Sequence, residues 1–384
     1  MTFSRRSHVG ATTEENALTR ALAAVRDRDA FLDLTVSNPT TAGLPYDESA
    51  ILAALAAPGA LVYEPHPLGL ASARAAVAAF TGATADRIAI TASTSEAYAV
   101  LFKSFCDPGD EVLVPSPSYP LLDWLASFES VKLVPYPLVY AGGWHFDLDA
   151  LKRAITPRTK AIVVVSPNNP TGSYLGREEL EALLDLDVPL VVDEVFASYP
   201  LETDAKLDRR VRTVAHSTRG LAFSLSGLSK AVALPQMKLG WIVAAGDAPR
   251  VAEAMARLEL VLDAFLSVGA PVQHALPELL RVGQLTAQAI RARCRANLVA
   301  ASRMAETNPL ITQLDVEGGW YVTWRVPETM SDEEWALALV REESVYVHPG
   351  YFFDMTRGAH LVLSLLTPER SFAAGLARVA SFIR

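Results

Sequence analysis

The sequence predicts an α/β fold. A large domain (residues 47–275) carries a mostly parallel sheet between helix layers, and residues 1–46 and 276–384 form a smaller α+β domain. Three observations predict it. Short apolar runs at 161–165, 190–192, 221–225 and 240–244 are almost uninterrupted, as strands covered on both faces require. Helical patterns alternate with such runs from about residue 70 onward, the order that winds into a parallel sheet. Finally, 384 residues with 51% hydrophobic content outgrow one small core.

The elements follow in order. A first helix is expected from Thr12, where Thr12-x-x-Glu15 forms a capping box, to about Arg28. A strand at 31–36 ends at Asn38-Pro39, and another spans 87–91. A helix at 96–105 places Ala97, Val100, Leu101 and Phe105 on one face, and a strand at 111–114 is broken by Pro115 and Pro117. Beyond the four apolar runs comes a helix at 248–266, with Asp247 placed to cap it and Pro249 in its first turn. The remainder reads as a long helix, strands at 319–326, 345–349 and 360–366, and a last helix. No repeat or low-complexity stretch interrupts the chain.

Composition narrows the function. A formal charge of -9 leaves no basic footprint for nucleic acid or anionic membrane. No apolar run reaches the roughly 20 residues needed to cross a bilayer. Arg5 and Arg6 are followed by the polar stretch Ala11-Thr12-Thr13-Glu14-Glu15-Asn16, where a signal peptide would be apolar. Cys106 and Cys294 are two cysteines far apart, as in a reduced cytosolic protein. The expectation is a soluble cytoplasmic enzyme.

Lys230, in Leu225-Ser226-Gly227-Leu228-Ser229-Lys230, is the leading catalytic candidate. The chain has seven lysines against 27 arginines, so few positions offer a titratable amine. An amine becomes a carbonyl-trapping nucleophile when burial or nearby cations lower its pKa. Pyridoxal phosphate is the carbonyl partner this suggests, and it needs a lysine, a carboxylate facing its ring nitrogen and a phosphate cradle. Asp193 ends the run Leu190-Val191-Val192, at the strand end where ligands collect in open α/β sheets. A carboxylate there is by itself more often a cap or a turn residue, and the downstream lysine reverses that balance. Asn168-Asn169-Pro170-Thr171-Gly172 follows another strand and offers a rigid amide, although Asn-Pro and Thr-Gly are also ordinary turn formers. Ser93-Thr94-Ser95-Glu96 opens a helix whose N–H groups suit an anion, or simply caps it. Ser226, Ser229 and Lys238 are candidates for the rest of a phosphate cradle, and Tyr119 is a candidate to stack on a ring, although a tyrosine between two prolines is more often loop packing.

Taken together these motifs resemble the class I/II aminotransferases, among the fold-type I pyridoxal-phosphate enzymes. The resemblance runs from Asn38-Pro39 through Tyr63, Ser93-Thr94-Ser95, Tyr119-Pro120, Asn169-Pro170-Thr171-Gly172, Asp193-Glu194 and Ser229-Lys230. It continues through Gly240-Trp241 and Gly318-Gly319 to Pro349-Gly350. It implies Lys230 as Schiff-base lysine and acid/base, Asp193 as partner of the pyridine nitrogen, and Asn169 as ligand of the ring oxygen. It further implies Tyr119 as stacking ring, Thr94 and Ser95 as phosphate ligands, and Asn38 and Asn169 at the substrate carboxylate. Tyr63 would reach a neighbouring subunit's phosphate, which implies a homodimer with composite sites. No metal, nucleic acid or membrane is expected as partner.

Three positions depart from the family. Phe196 stands where most members have a tyrosine donating to the ring oxygen, and Lys238 replaces a phosphate-binding arginine. In His360-Leu361-Val362-Leu363-Ser364, Val362 takes the place of the arginine that clamps the substrate carboxylate. Such a charged pair is worth about 1.5–3 kcal/mol. Arg357 and His348 are cationic candidates nearby in sequence. The leading expectation is an aminotransferase acting on an amino acid and a 2-keto acid. The alternative is a lyase, decarboxylase or amine-specific transferase on the same cofactor. A cofactor-binding regulator is a third reading, and no DNA-binding segment supports it. Trp144, His145, Trp320, Tyr321, Tyr351 and Phe352 are candidate pocket walls, though aromatic residues are more often core.

Overall fold

The structure, a computed structural model, describes residues 4, 6, 16–28, 30–203 and 205–384. Its centre is an eight-stranded sheet: β1 (Ile88–Thr91), β2 (Glu111–Ser116), β3 (Lys132–Tyr140), β4 (Trp144–Phe146), β5 (Thr159–Val165), β6 (Leu190–Asp193), β7 (Leu221–Gly227) and β8 (Gly240–Gly246). The spatial order is β1-β8-β7-β6-β5-β2-β3-β4. Pairings from β3 through β2, β5 and β6 to β7 are parallel, while β8 runs antiparallel to both β7 and β1, and β4 to β3.

The uninterrupted apolar runs have the expected cause. Side chains alternate across a strand, so Ala161 and Val163 enter one core and Ile162 and Val164 another. Helices Thr94–Phe105 and Ala248–Asp263 cover the first face. On the opposite face, Ile88, Ile90, Trp241 and Val243 pack with residues of helices Ala71–Thr81 and Ala270–Val282.

The sheet differs from expectation at the strands rich in proline. Pro115 does not end β2, which continues to Ser116. β5 pairs with β2 only at Glu111–Leu113, so the N–H that Pro115 lacks falls where that ladder has stopped. β3 and β4 are additional strands. Pro135 and Pro137 lie where β3 has no β4 partner, since that pairing covers Leu138–Tyr140 alone. Among the helices, the Thr12–Glu15 capping box lies outside the described residues. The described first helix is Ala17–Val25, capped by Asn16, whose Oδ1 accepts from Thr19 N at 2.7 Å. Asp247 sits at the N-cap of Ala248–Asp263 without a side-chain cap bond, and that helix stops three residues before Leu266. Phe105 is only partly buried, whereas Tyr98 and Phe102 lie in the core.

A second, antiparallel sheet holds β9 (Thr312–Gln313), β10 (Tyr321–Val326), β11 (His348–Pro349) and β12 (Ala359–Ser364) in the order β9-β10-β12-β11. The expected strand at 345–349 is divided, because Val345–Tyr346 pairs instead with Leu32–Asp33 in a parallel ladder. The strand expected at 31–36 is reduced to that pair, and Ser364 N donates beyond it to the Leu34 carbonyl at 2.7 Å.

Candidate active site

β5, β6 and β7 are neighbours, and their carboxyl ends bring three sequence-distant segments together. Val165, Asp193 and Leu225 stand side by side in register. Past Val165 the chain enters the Asn168–Gly172 loop, and past Gly227 it enters the short helix Leu228–Ala231 that carries Lys230.

Asp193 is 7% exposed. Its Oδ1 accepts from Val195 N at 3.1 Å and its Oδ2 from the Tyr98 hydroxyl, also at 3.1 Å. Burial pushes the carboxyl up to about 6, opposed by the Val195 N–H, the Tyr98 hydroxyl and the Lys230 amine. Burial also holds the Lys230 amine below its ordinary value, with Asp193 pulling the other way. Each group therefore resists ionisation in a dry site and is helped only in part by the other. The Lys230 Nζ lies 5.2 Å from the centre of the Trp320 ring, and the Tyr199 hydroxyl donates to the Lys230 carbonyl.

Asn169 is buried, and its Oδ1 has no partner. Its neighbour Asn168 has a structural task, accepting from the Thr171 N–H and hydroxyl. Ser93 caps helix Thr94–Phe105, accepting from Glu96 N at 3.1 Å. That end adjoins the turn out of β7: a Cβ at Gly240 would lie 3.0 Å from the Ser93 carbonyl carbon and 3.1 Å from the Ser226 oxygen. Ser93, Thr94, Ser95, Ser226 and Ser229 are all half-buried around this junction. Lys238 is exposed, in the left-handed conformation that closes the turn into β8.

Other predicted residues lie further out. Tyr119 is 48% exposed and packs edge-on against Phe352. Tyr63 is 84% exposed. Asn38 is exposed and caps its own turn, its Oδ1 accepting from the Thr40 N–H and hydroxyl. Phe196 is buried edge-on against Trp320. Val362 is fully buried between Thr323 of β10 and His348 of β11. His348 stacks on Phe352, and burial lowers its imidazole to about 4. Arg357 is exposed in a separate groove shared with Arg325 and Trp144. Trp144 and His145 belong to the edge strand β4, four positions from β6, whereas Trp320 lies beside Lys230.

The aminotransferase class I and II sequence family matches residues 30–370. The chain belongs to that family. It is an aminotransferase, an enzyme that moves an amino group between an amino acid and a 2-keto acid. It is 29% identical over 333 residues to the alanine aminotransferase of Mycobacterium bovis, covering 82% of this chain and 76% of that one. It is 26% identical to the glutamate–pyruvate aminotransferase AlaA of Haemophilus influenzae, covering 94% and 93%. An Escherichia coli aminotransferase structure superposes with a TM-score of 0.84 at 24% identity, covering 100% of this chain and 98% of that one. A Thermus thermophilus aspartate aminotransferase double mutant gives 0.81 at 26% identity, with 99% of each chain covered. The aminotransferase fold of the large mixed sheet and small antiparallel sheet is thus the one the sequence predicted.

Tyr98 and Tyr199 are the site residues that sequence reasoning missed. In the sequence, Tyr98 is one more large residue in a helix. Only the position of β6 beside that helix makes its hydroxyl a partner of Asp193.

Proposed function

We propose that this aminotransferase works through pyridoxal phosphate held at Lys230. The observation that carries the reading is the pairing of buried Asp193 with partly buried Lys230 at adjacent strand ends, each perturbed by desolvation and by the other. The residues suit the group. Asp193 is a desolvated carboxylate that a protonated ring nitrogen would satisfy. Asn169 has a buried polar atom without a partner. The Ser93–Ser95 helix end, with Ser226, Ser229 and Lys238, offers N–H, hydroxyl and ammonium groups to a phosphate. Tyr119 would cover a ring face, and Asn38 with Asn169 would meet a substrate carboxylate.

The bound cofactor supplies an electron sink for the bond broken at the substrate α-carbon. The chain's own groups do the rest. Lys230, its amine less basic than usual, is the residue that would hold the cofactor covalently and would move the proton at the substrate α-carbon. Asp193 would hold a proton on the cofactor's ring nitrogen. The apolar walls around Trp320 and Phe196 keep water from the amine.

Pyruvate with alanine or glutamate is the substrate couple to try first, because relatives carry names of that kind. We further assign residues 47–275 to the cofactor-binding domain, with 1–46 and 276–384 as the smaller one, and place the enzyme in the cytoplasm. No described helix is long and apolar enough to cross a membrane. A homodimer with Tyr63 reaching across is supported by the exposed apolar run Leu61, Val62 and Tyr63, at 93%, 58% and 84% exposure.

The deciding experiment is the absorption spectrum of the purified protein with pyridoxal phosphate, titrated with alanine, glutamate, other amino acids and simple amines. A visible band that bleaches with an α-amino acid, releasing its keto acid, is the expected result. No band, or the same band in Lys230→Ala, would remove the assignment of Lys230.

A further inference from the structure

Trp320 follows Gly318-Gly319 and is fully buried. Its ring lies 5.2 Å from the Lys230 Nζ and is held edge-on by Phe196 at 5.3 Å and Tyr199 at 5.0 Å. Its Nε1–H has no hydrogen-bond partner. Leaving a buried donor unmade costs about 1–3 kcal/mol, so such a group at a site calls for a ligand. The two rings that hold it offer no competing donor. Phe196 has no polar atom, and the Tyr199 hydroxyl is committed to the Lys230 carbonyl. The indoles of Trp144 and Trp241 also lack partners, but they pack against Tyr140 and Phe80, and neither lies over Lys230.

We propose that the Trp320 indole N–H is a cofactor-binding donor, directed at the ring oxygen of pyridoxal phosphate linked to Lys230, and that it supplies the hydrogen bond Phe196 cannot make. The inference rests on the proposed function. A donor at that oxygen favours its anionic form, so the lysine–cofactor linkage loses its proton at lower pH. Trp320 would thus set the pH range in which the resting enzyme is ready for substrate.

The test is a pH titration of the visible band in cofactor-loaded wild type and Trp320→Phe, which keeps a ring and removes the N–H. The midpoint is expected to rise by about one pH unit or more, tenfold in proton affinity. Adding Phe196→Tyr to Trp320→Phe should bring it back toward wild type, a rescue that mere packing would not give. An unchanged midpoint, or a rise that Phe196→Tyr leaves in place, overturns the proposal. In wild type carrying ¹⁵N-labelled tryptophan, loading should shift the Trp320 indole N–H resonance, with Trp241→Phe marking the other indole that adjoins β7. If Trp320→Phe fails to fold, this spectrum decides, and loading without an indole shift overturns the proposal. A wild type that shows no band at all defeats the proposed function itself and this inference with it.

Discussion

The Tyr98 hydroxyl donates to Asp193 Oδ2 at 3.1 Å, joining helix Thr94–Phe105 to the end of β6. The same helix presents its N-terminus at Ser93–Ser95, so one element serves both a candidate anion site and the buried carboxylate. Tyr98→Phe removes one of the two hydrogen bonds to Asp193 while keeping the ring. A bond to a charged group is worth about 1.5–3 kcal/mol, so cofactor affinity should fall roughly tenfold or more. Titration of the visible band with pyridoxal phosphate measures it, and an unaltered dissociation constant would contradict the role given to Tyr98.

Asp193 should make the cofactor-free protein less stable as pH rises. Its folded pKa of about 6 lies above the ordinary 3.8, so between those values the folded state holds a proton the unfolded state has lost. Stability therefore declines across that window, and the full cost stands above pH 6. Asp193→Asn cannot ionise. It should match wild type near pH 3.5 and exceed it at pH 7.5 by up to about 3 kcal/mol, at 1.36 kcal/mol per pK unit, while transamination collapses. Denaturant melts at both pH values check this. Equal stability at pH 7.5 would mean the carboxylate is not under strain.

Lys230 should be the most reactive of the seven lysines toward a small aldehyde near neutral pH, because burial favours its neutral amine. Brief treatment with pyridoxal phosphate and borohydride, followed by peptide mass spectrometry, should find Lys230 labelled first. Uniform labelling across lysines would show that its amine is ordinary.

What the sequence made legible follows from how each residue is placed. Asp193 and Asn169 each follow a strand apolar enough to be recognised alone, and Lys230 stands out because lysines are scarce. The role of Tyr98 depends on which helix lies beside β6, a fact of tertiary packing. Trp320 was legible only as one of six candidate pocket walls and Tyr199 not at all; both are fully buried, and their meaning comes from meeting Lys230. β3 was hidden by Pro135 and Pro137 and by its exposed face. Asn38 is a motif residue whose Oδ1 is used within its own turn, accepting from the Thr40 N–H and hydroxyl. Val362 was read correctly as apolar, and the structure adds the neutral neighbours Thr323 and His348 on either side.

Leu61→Asp should weaken self-association without disturbing the fold. Leu61 is 93% exposed in the same apolar run as Tyr63, so a charge there costs the monomer little. An interface that buries it would lose about 1.5–3 kcal/mol of apolar contact and gain an unpaired carboxylate. Analytical ultracentrifugation should show wild-type dimers and a shift toward monomer in the variant. An unshifted sedimentation coefficient would place the interface elsewhere.

Gly172 fixes the Asn169 loop against the Val316–Gly318 segment that leads to Trp320. Its φ of +69° is in the left-handed region, and a Cβ there would lie 2.2 Å from Val316 Cγ2 and 2.7 Å from the Gly318 oxygen. The Gly172 carbonyl accepts from Glu317 N at 3.2 Å and Gly318 N at 2.9 Å. Glu317 reinforces the joint, its Oε2 accepting from Tyr174 N and its Oε1 from Arg210 Nε, each at 2.8 Å. Gly172→Ala must therefore push the loop away from Gly318, combining backbone strain with a steric clash. A loss of about 3 kcal/mol or more is expected in denaturant melts. Because the displaced loop carries Asn169 and the opposing segment leads into Trp320, weaker cofactor binding should accompany it. Glu317→Gln keeps the shape but removes the charge and turns one of the two acceptor oxygens into a donor, so it should cost about 1–3 kcal/mol and leave cofactor affinity nearly intact. Full stability in Gly172→Ala would show that the loop does not rest on Gly318.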